Sequence, residues 1–277
     1  MKRFTLIILT KIIYFFYLTP IYAMQYGHHH DPISVAMGNA SCCISSHYLG
    51  TNVASVALQT SSSVQTYLQN KATLPTLGLY NVGLVYSNRY VNVACKGNFH
   101  GFDAYHEFSA EVSLGHFFKP YIAIALQASY HGLYQSPKNG YVHSGGLNIG
   151  LQAFPFKNMR VGFSVYNITF SAFKIETENT RLPVIFRLGI GYHIAQKVLI
   201  TADANKALDQ PFAYCIGLDY QVIKALALRT GMYVCQGITP SLGLGLSIKK
   251  CRIDIGVQYH FKTGLNTAVG IIYLWNE

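Results

Sequence analysis

The side chains able to do chemistry fall into two groups. One is a short N-terminal run of metal-ligating types, His28-His29-His30-Asp31. The other is a set of acids and bases scattered through the remainder: Glu107, Glu111, Arg187, Asp203, Asp219, Arg229, Arg252 and Asp254. Imidazole and carboxylate groups can hold a metal, but the histidine run is read as a solvated polar tail, with no metal. A hydrolase would need a nucleophile beside a placed base and carboxylate. The chain has no G-x-S-x-G turn, no H-E-x-x-H helix and no phosphate-binding Walker loop. His106 is close to Glu107 and Glu111 in sequence, but strand alternation puts it on the opposite face. No enzyme activity and no cofactor are expected. The second group carries both signs of charge, so its members can pair with one another. They are expected to line and partly fill an interior.

The elements that would hold them repeat one theme from about residue 63 onward. Apolar side chains alternate with polar or small ones, the period of a strand with two different faces. In Arg252 to Phe261, Ile253, Ile255, Val257, Tyr259 and Phe261 oppose Arg252, Asp254, Gly256, Gln258 and His260. In Glu107 to Gly115, Phe108, Ala110, Val112 and Leu114 oppose Glu107, Ser109, Glu111, Ser113 and Gly115. Arg187, Gly189 and Gly191 likewise share a face opposite Phe186, Leu188 and Ile190. The segments fall near 63–69, 77–87, 89–99, 106–118, 120–134, 145–156, 159–170, 182–194, 197–207, 211–223, 224–236, 239–250, 251–261 and 266–275. That is about fourteen, an even number, as single-chain bacterial barrels have. Tight breaks at Asn88-Arg89, Lys119-Pro120, Lys157-Asn158, Gln196-Lys197, Ile223-Lys224 and Lys249-Lys250 alternate with looser ones at 100–105, 135–144, 171–181, 208–210, 237–238 and 262–265. Short periplasmic turns and longer outer loops produce such a pattern.

Composition agrees. Hydrophobic residues make up 51% of the chain and charged residues only 12%, against about 25% charged in soluble domains. With 21 Tyr, 16 Phe and one Trp, the chain is no disordered polymer. A soluble β-sandwich would explain alternation but not so many aromatics with so few charges. The expected fold is all-β: a transmembrane antiparallel β-barrel spanning 63–277. Residues 1–23 are read as an export signal, with Lys2, Arg3 and Lys11 before a short apolar core. The stretch 24–62 is read as a hatch or plug inside the lumen. Tyr86, Tyr90, Phe117, Phe118, Tyr121, Phe156, Phe261 and Trp275 stand at expected strand ends, where interfacial girdles form. The six cysteines form no C-x-x-C pair and are read as small apolar residues.

The residues also resemble a family. Ser34-Val-Ala-Met-Gly-Asn-Ala-Ser41 followed by Asn52-Val-Ala-Ser-Val-Ala57 resembles the start of PorV/PorQ outer-membrane proteins, relatives of FadL-type transporters. Ala225 to Tyr233, Ser241 to Leu246, Arg252 to Tyr259 and Gly270 to Trp275 resemble that family's last strands. Val53 stands where the family has a proline. The resemblance implies a fourteen-stranded barrel with Gly38, Asn39, Ala40, Asn52 and Ala54 in its hatch motif. For FadL relatives it implies passage of hydrophobic molecules past the hatch, sometimes through a gap in the wall. For PorV/PorQ proteins it implies type IX secretion.

The expected function is therefore transport of hydrophobic molecules, or a secretion-accessory role in handling cargo. Partners would be outer-membrane lipid, hydrophobic small molecules, secretion-system components or secreted cargo. The alternative is a structural or adhesive barrel that binds a partner through loops 135–144 and 171–181, with Pro137, Asn139, Gly140, Glu176 and Glu178. Nucleic acid is not expected, because the positive charge is spread over turns rather than gathered in a stripe.

Overall fold

The computed structural model describes residues 30–50, 52–72, 78–135, 140–174, 179–195 and 197–275. The expected signal at 1–23, together with His28, His29, Pro137, Asn139, Glu176 and Glu178, lies outside them.

A five-residue helix, α1 (Pro32–Ala36), and a 3-10 turn (Val53–Leu58) precede the first strand. The strands are β1 (Ser62–Asn70), β2 (Leu79–Tyr86), β3 (Asn92–Phe102), β4 (Tyr105–Phe118), β5 (Ile122–Gln135), β6 (Gly140–Phe156) and β7 (Met159–Tyr166). A small hairpin follows, β8 (Ala172–Lys174) with β9 (Asn179–Arg181). The remainder are β10 (Ile185–Ile194), β11 (Val198–Ala207), β12 (Ala213–Ile223), β13 (Leu226–Val234), β14 (Ile238–Ile248), β15 (Cys251–His260) and β16 (Gly264–Trp275). All but β8 and β9 join in one closed antiparallel barrel of fourteen strands, as expected. Closure comes from β1 on β16, registered from Ser62 opposite Trp275 to Asn70 opposite Thr267. Closure matters because backbone N–H and C=O groups facing lipid must find partners within the protein.

The two faces separate as the alternation requires. In β2, Tyr80, Val82, Leu84 and Tyr86 are each more than half exposed, whereas Leu79, Asn81 and Val85 are at most 3% exposed. Val112, Leu126, Leu188, Ile216, Leu242 and Ile271 continue the outward apolar belt. At the end carrying the β2–β3, β4–β5 and β6–β7 turns, exposed Tyr86, Tyr90, Phe118, Tyr121 and Phe156 ring the belt. Arg89, Lys119, Lys157, Lys197, Lys224, Lys249 and Lys250 are exposed just beyond, at this turn end. Phe102, Tyr141, Phe212 and Phe261 are exposed towards the opposite, loop end.

Two sequence expectations need correction. The alternation of tight and loose connections is weaker than the pattern implied. β3 and β4 pair out to Phe102 opposite Tyr105, leaving only 103–104 as the turn, with Gly101 at φ +121. The β2–β3 connection is instead 87–91. Polar strand ends there stay in the ladder, and side-chain polarity alone does not mark where a ladder stops. His30 and Asp31 are not a solvated tail either. His30 is half-buried and its N–H donates to Gln69 Oε1 at 3.4 Å, while Asp31 is only 1% exposed.

Candidate functional site

Residues 31–50 and 52–59 thread the barrel interior, and almost all of them are buried. Asp31 caps α1: its Oδ1 accepts N–H bonds from Ile33 at 2.9 Å and Ser34 at 3.1 Å, and its Oδ2 accepts the Ser34 hydroxyl at 2.6 Å. Pro32 then fills the first helical position, where no N–H is missed. Burial pushes the Asp31 carboxyl above its ordinary range, and these hydrogen bonds oppose the shift. The chain then turns through Gly38 (φ +60) and Asn39 (φ +64). A Cβ on Gly38 would collide with the Met232 backbone of β13, so only glycine fits.

Glycines in the wall give this segment its seat. At Gly217 an added Cβ would lie 2.7 Å from Met37 O, and at Gly115 it would lie 2.7 Å from Ala57 N. At Gly270 it would meet the Tyr48 ring at 2.7 Å, and at Gly189 the Cys42 Cβ at 2.7 Å. Gly150, Gly162, Gly231, Gly243 and Gly256 are closer still, each facing inner-segment backbone or Ala36. A missing side chain at these inward positions lets an irregular backbone lie against the wall.

Irregular backbone at membrane depth is tolerated only when its polar groups are paired within protein. Wall side chains supply many of those partners. Asp203 Oδ2 accepts Cys42 N–H at 2.8 Å, and Thr201 and Ser241 donate to Ala40 O and Ala36 O, each at 3.0 Å. Asn92 donates to Val56 O at 2.9 Å and to Gln59 O at 2.7 Å. Within the segment, Asn52 accepts Ala54 N–H at 3.0 Å and donates to Cys42 O at 2.8 Å and to Leu151 O of β6 at 3.2 Å. Ala54 is buried, and a Cβ on Gly150 would come within 2.5 Å of its backbone N. An apolar cluster joins the two parts: Ile33, Met37, Ile44 and Tyr48 pack with inward Tyr67, Leu79 and Ile272. Tyr48 meets Tyr67 edge to face at 5.8 Å.

The inward charges are largely committed. Arg229 Nε pairs with Asp219 at 2.8 Å and Nη1 with Asp254 at 2.7 Å, while Arg252 Nε reaches Asp254 at 2.9 Å. Gly245 on the intervening β14 opens the gap through which Arg229 and Asp254 meet. Lys96 pairs with Glu111 at 2.9 Å, and Glu107 accepts the Tyr105 hydroxyl. Arg187 is inward and buried on β10, in the field of Asp203. The cysteines are all free. Burial, then Asp203, pushes the Cys42 thiol up, so it stays protonated and unreactive. Sequence reasoning placed the charges on one face but missed Thr201, Ser241 and Asn92. Short polar residues recur on every inward face, and no local signal says which of them meets a neighbouring backbone.

Cavities remain on both sides of the inner segment. Towards the loop end one of about 290 Å³ is bounded by Lys71, Arg187, Gln258 and His260. Towards the turn end another of about 380 Å³ lies between the 3-10 turn and Arg89, Asn92 and Lys119. Over the other half of the loop end, the β8–β9 hairpin tucks Phe173 against Leu133 and Leu182. The β2–β3 and β3–β4 ladders run without a register break, so the wall here has no gap.

No family model matches the chain, and no curated protein matches it. Solved structures do. The CymD monoaromatic hydrocarbon channel superimposes with a TM-score of 0.68 at 11% identity, covering 91% of this chain and 99% of that one. The Pseudomonas putida toluene transporter TodX gives 0.65 at 11% identity, over 90% and 98%. A Pseudomonas aeruginosa FadL homologue gives 0.57 at 11% identity, over 88% and 97%. At such identities the likeness is one of fold, and the fold is that of a FadL-like barrel.

Proposed function

We propose that the chain resides in the outer membrane, exported by residues 1–23, and passes small hydrophobic molecules through its barrel. Residues 24–62 would act as the hatch. The observation that carries this reading is the inner segment itself. It fills the lumen between two cavities and is held to the wall by glycine seats, scattered side-chain hydrogen bonds and one apolar cluster rather than by strand pairing. Such a segment can shift while the wall stays closed. The likeness in fold to CymD, described as a monoaromatic hydrocarbon channel, and to TodX, described as a toluene transporter, supports the choice of solute.

A reversible tether tests it. An added Cβ at Gly191 lies 3.0 Å from Cys43 Cβ, and disulfides prefer a mean of about 3.8 Å. Gly191→Cys, in a background keeping only Cys43, should crosslink after a small shift of the segment. Oxidation should stop toluene uptake into proteoliposomes and reduction should restore it. Unchanged uptake with the crosslink complete would remove the hatch from the mechanism.

The PorV/PorQ reading rests on the Ser34–Ser41 and Asn52–Ala57 motifs. It predicts that secretion-system components or secreted cargo co-purify with the barrel, and that toluene uptake is absent.

A further inference from the structure

The two ends of the barrel differ in the sign of their charge. Six connections join strands at the turn end. Each carries an exposed lysine or arginine, from Arg89 between β2 and β3 to Lys249 and Lys250 between β14 and β15. None of these six turns holds an aspartate or glutamate. The carboxylates nearest them, Asp219 and Asp254, face the lumen and are paired with Arg229 and Arg252. Among the described residues, none of the turn cations forms an ion pair. The loop end is mixed: exposed Asp103 and Asp209 accompany exposed Lys174, Arg181 and Lys262.

A turn that needed only water would accept either sign, since carboxylate and ammonium groups both hydrate well. One sign at all six turns needs another reason, and the place of the cations suggests it. They stand just beyond the ring of Tyr86, Tyr90, Phe118, Tyr121 and Phe156, at the level where a girdle meets lipid headgroups. Arg89 lies over the Tyr90 ring, 5.8 Å from its centroid, which holds the guanidinium at the girdle. Long cationic side chains at that depth lay their stems along apolar surface and extend their heads to polar groups. A soluble ligand would touch one or two turns. A flat anionic surface meets a closed ring all the way round.

We propose that the turn-end rim docks anionic phospholipid, its cations on the headgroup phosphates and the girdle rings against the acyl chains below them. The inference rests on residence in a membrane and is independent of what passes through the lumen. Such attraction is contributed cation by cation and fades over a Debye length, so each turn acts on the lipids beside it. The chain carries its own reporter. Trp275, the one tryptophan, ends β16 at this rim, on the outward face shared by Ile271 and Tyr273. Lys250 O accepts the Leu274 N–H at 2.8 Å, which sets Lys249 and Lys250 in the neighbouring turn.

The purified full chain is reconstituted in phosphatidylcholine vesicles, and Trp275 emission is quenched with phosphatidylglycerol or phosphatidylcholine brominated on the acyl chains. At low salt phosphatidylglycerol should be preferred about fivefold, the factor for one cation near an anionic surface. The preference should fall towards one in about 1 M sodium chloride, where charges are screened. Lys249→Gln with Lys250→Gln should bring it close to one at low salt. Lys157→Gln, across the barrel, should leave it unchanged. Folding of both variants is checked by heat-dependent migration in SDS. Inorganic phosphate should weaken the preference no more than sodium chloride of equal ionic strength. The proposal is overturned if the two lipids quench alike at low salt, or if the folded double variant keeps the preference. It is also overturned if Lys157→Gln removes the preference as fully as the double variant does. A stronger effect of phosphate than of sodium chloride would mark a site for soluble anions and overturn it too. If brominated phosphatidylcholine does not quench at all, the membrane reading falls and this inference with it. Toluene uptake, assayed separately in proteoliposomes, reports on the transport reading alone.

Discussion

Asp31 joins three donors at the entry to α1, and the helix has only five residues with which to hold itself. So short a helix has no cooperative stability of its own, and its cap and its seat against the wall must fix it. Asp31→Ala should cost about 0.5–2 kcal/mol, the usual range for a lost cap. The cost should appear as faster hydrogen exchange at the Ile33 and Ser34 amides, with the strand amides unchanged. Asp31→Asn keeps an acceptor oxygen and avoids burying a charge, so its loss should be smaller. The signal for this cap was present in the sequence: an aspartate before proline, then Ile33, Val35 and Ala36. The neighbouring histidines drew the reading towards a solvated tail. Composition over a few residues says nothing about whether the chain turns inward next, and that turn depends on Gly256, more than two hundred positions away, where Pro32 O comes to rest.

Strands proved legible because a period of two is a strictly local property. Ile253 and Ile255 on one side and Arg252 and Asp254 on the other could be sorted without knowing any neighbour. What approaches the inward face could not. Gly217, Gly231, Gly243 and Gly256 stand on strands β12 to β15 as small residues of the luminal face, and only the folded chain shows α1 and Met37 lying over them. Inward Tyr67, Leu79 and Ile272 break the polar rule for the same reason, since each meets an apolar side chain of the inner segment. Gly231 offers the sharpest test at this scale. A methyl group there would occupy the space of the Met37 carbonyl carbon and the Gly38 amide. Backbone cannot swing aside as a side chain does, so Gly231→Ala should lift the inner segment while the barrel ladders persist. The expected result is raised conductance in planar bilayers with normal heat-dependent migration in SDS. A silent substitution would mean that the segment yields without opening a path.

At the scale of the whole molecule, the outward belt decides what solvent the barrel is built for. Leu242 is 67% exposed in the middle of β14, and Ile238, at the strand's loop end, is 63% exposed. In water these positions are equivalent, and an arginine at either would be nearly neutral, as surface substitutions generally are. Lipid separates them. A cation at the bilayer midplane of a barrel costs about 2–4 kcal/mol, falling to about 0–1 near the interface where the side chain reaches headgroups and water. Leu242→Arg should therefore lower folding stability in lipid vesicles by the larger amount, and Ile238→Arg by the smaller. The ranking follows depth rather than exposure, so equal effects would contradict an acyl-chain solvent for this face. An inward pair supplies the control. Lys96 with Glu111 forms a charge pair in the same wall without penalty of this kind, because its partners lie within the lumen. A belt that rejects arginine by depth, around an interior that carries ion pairs, is the arrangement a membrane imposes and water does not.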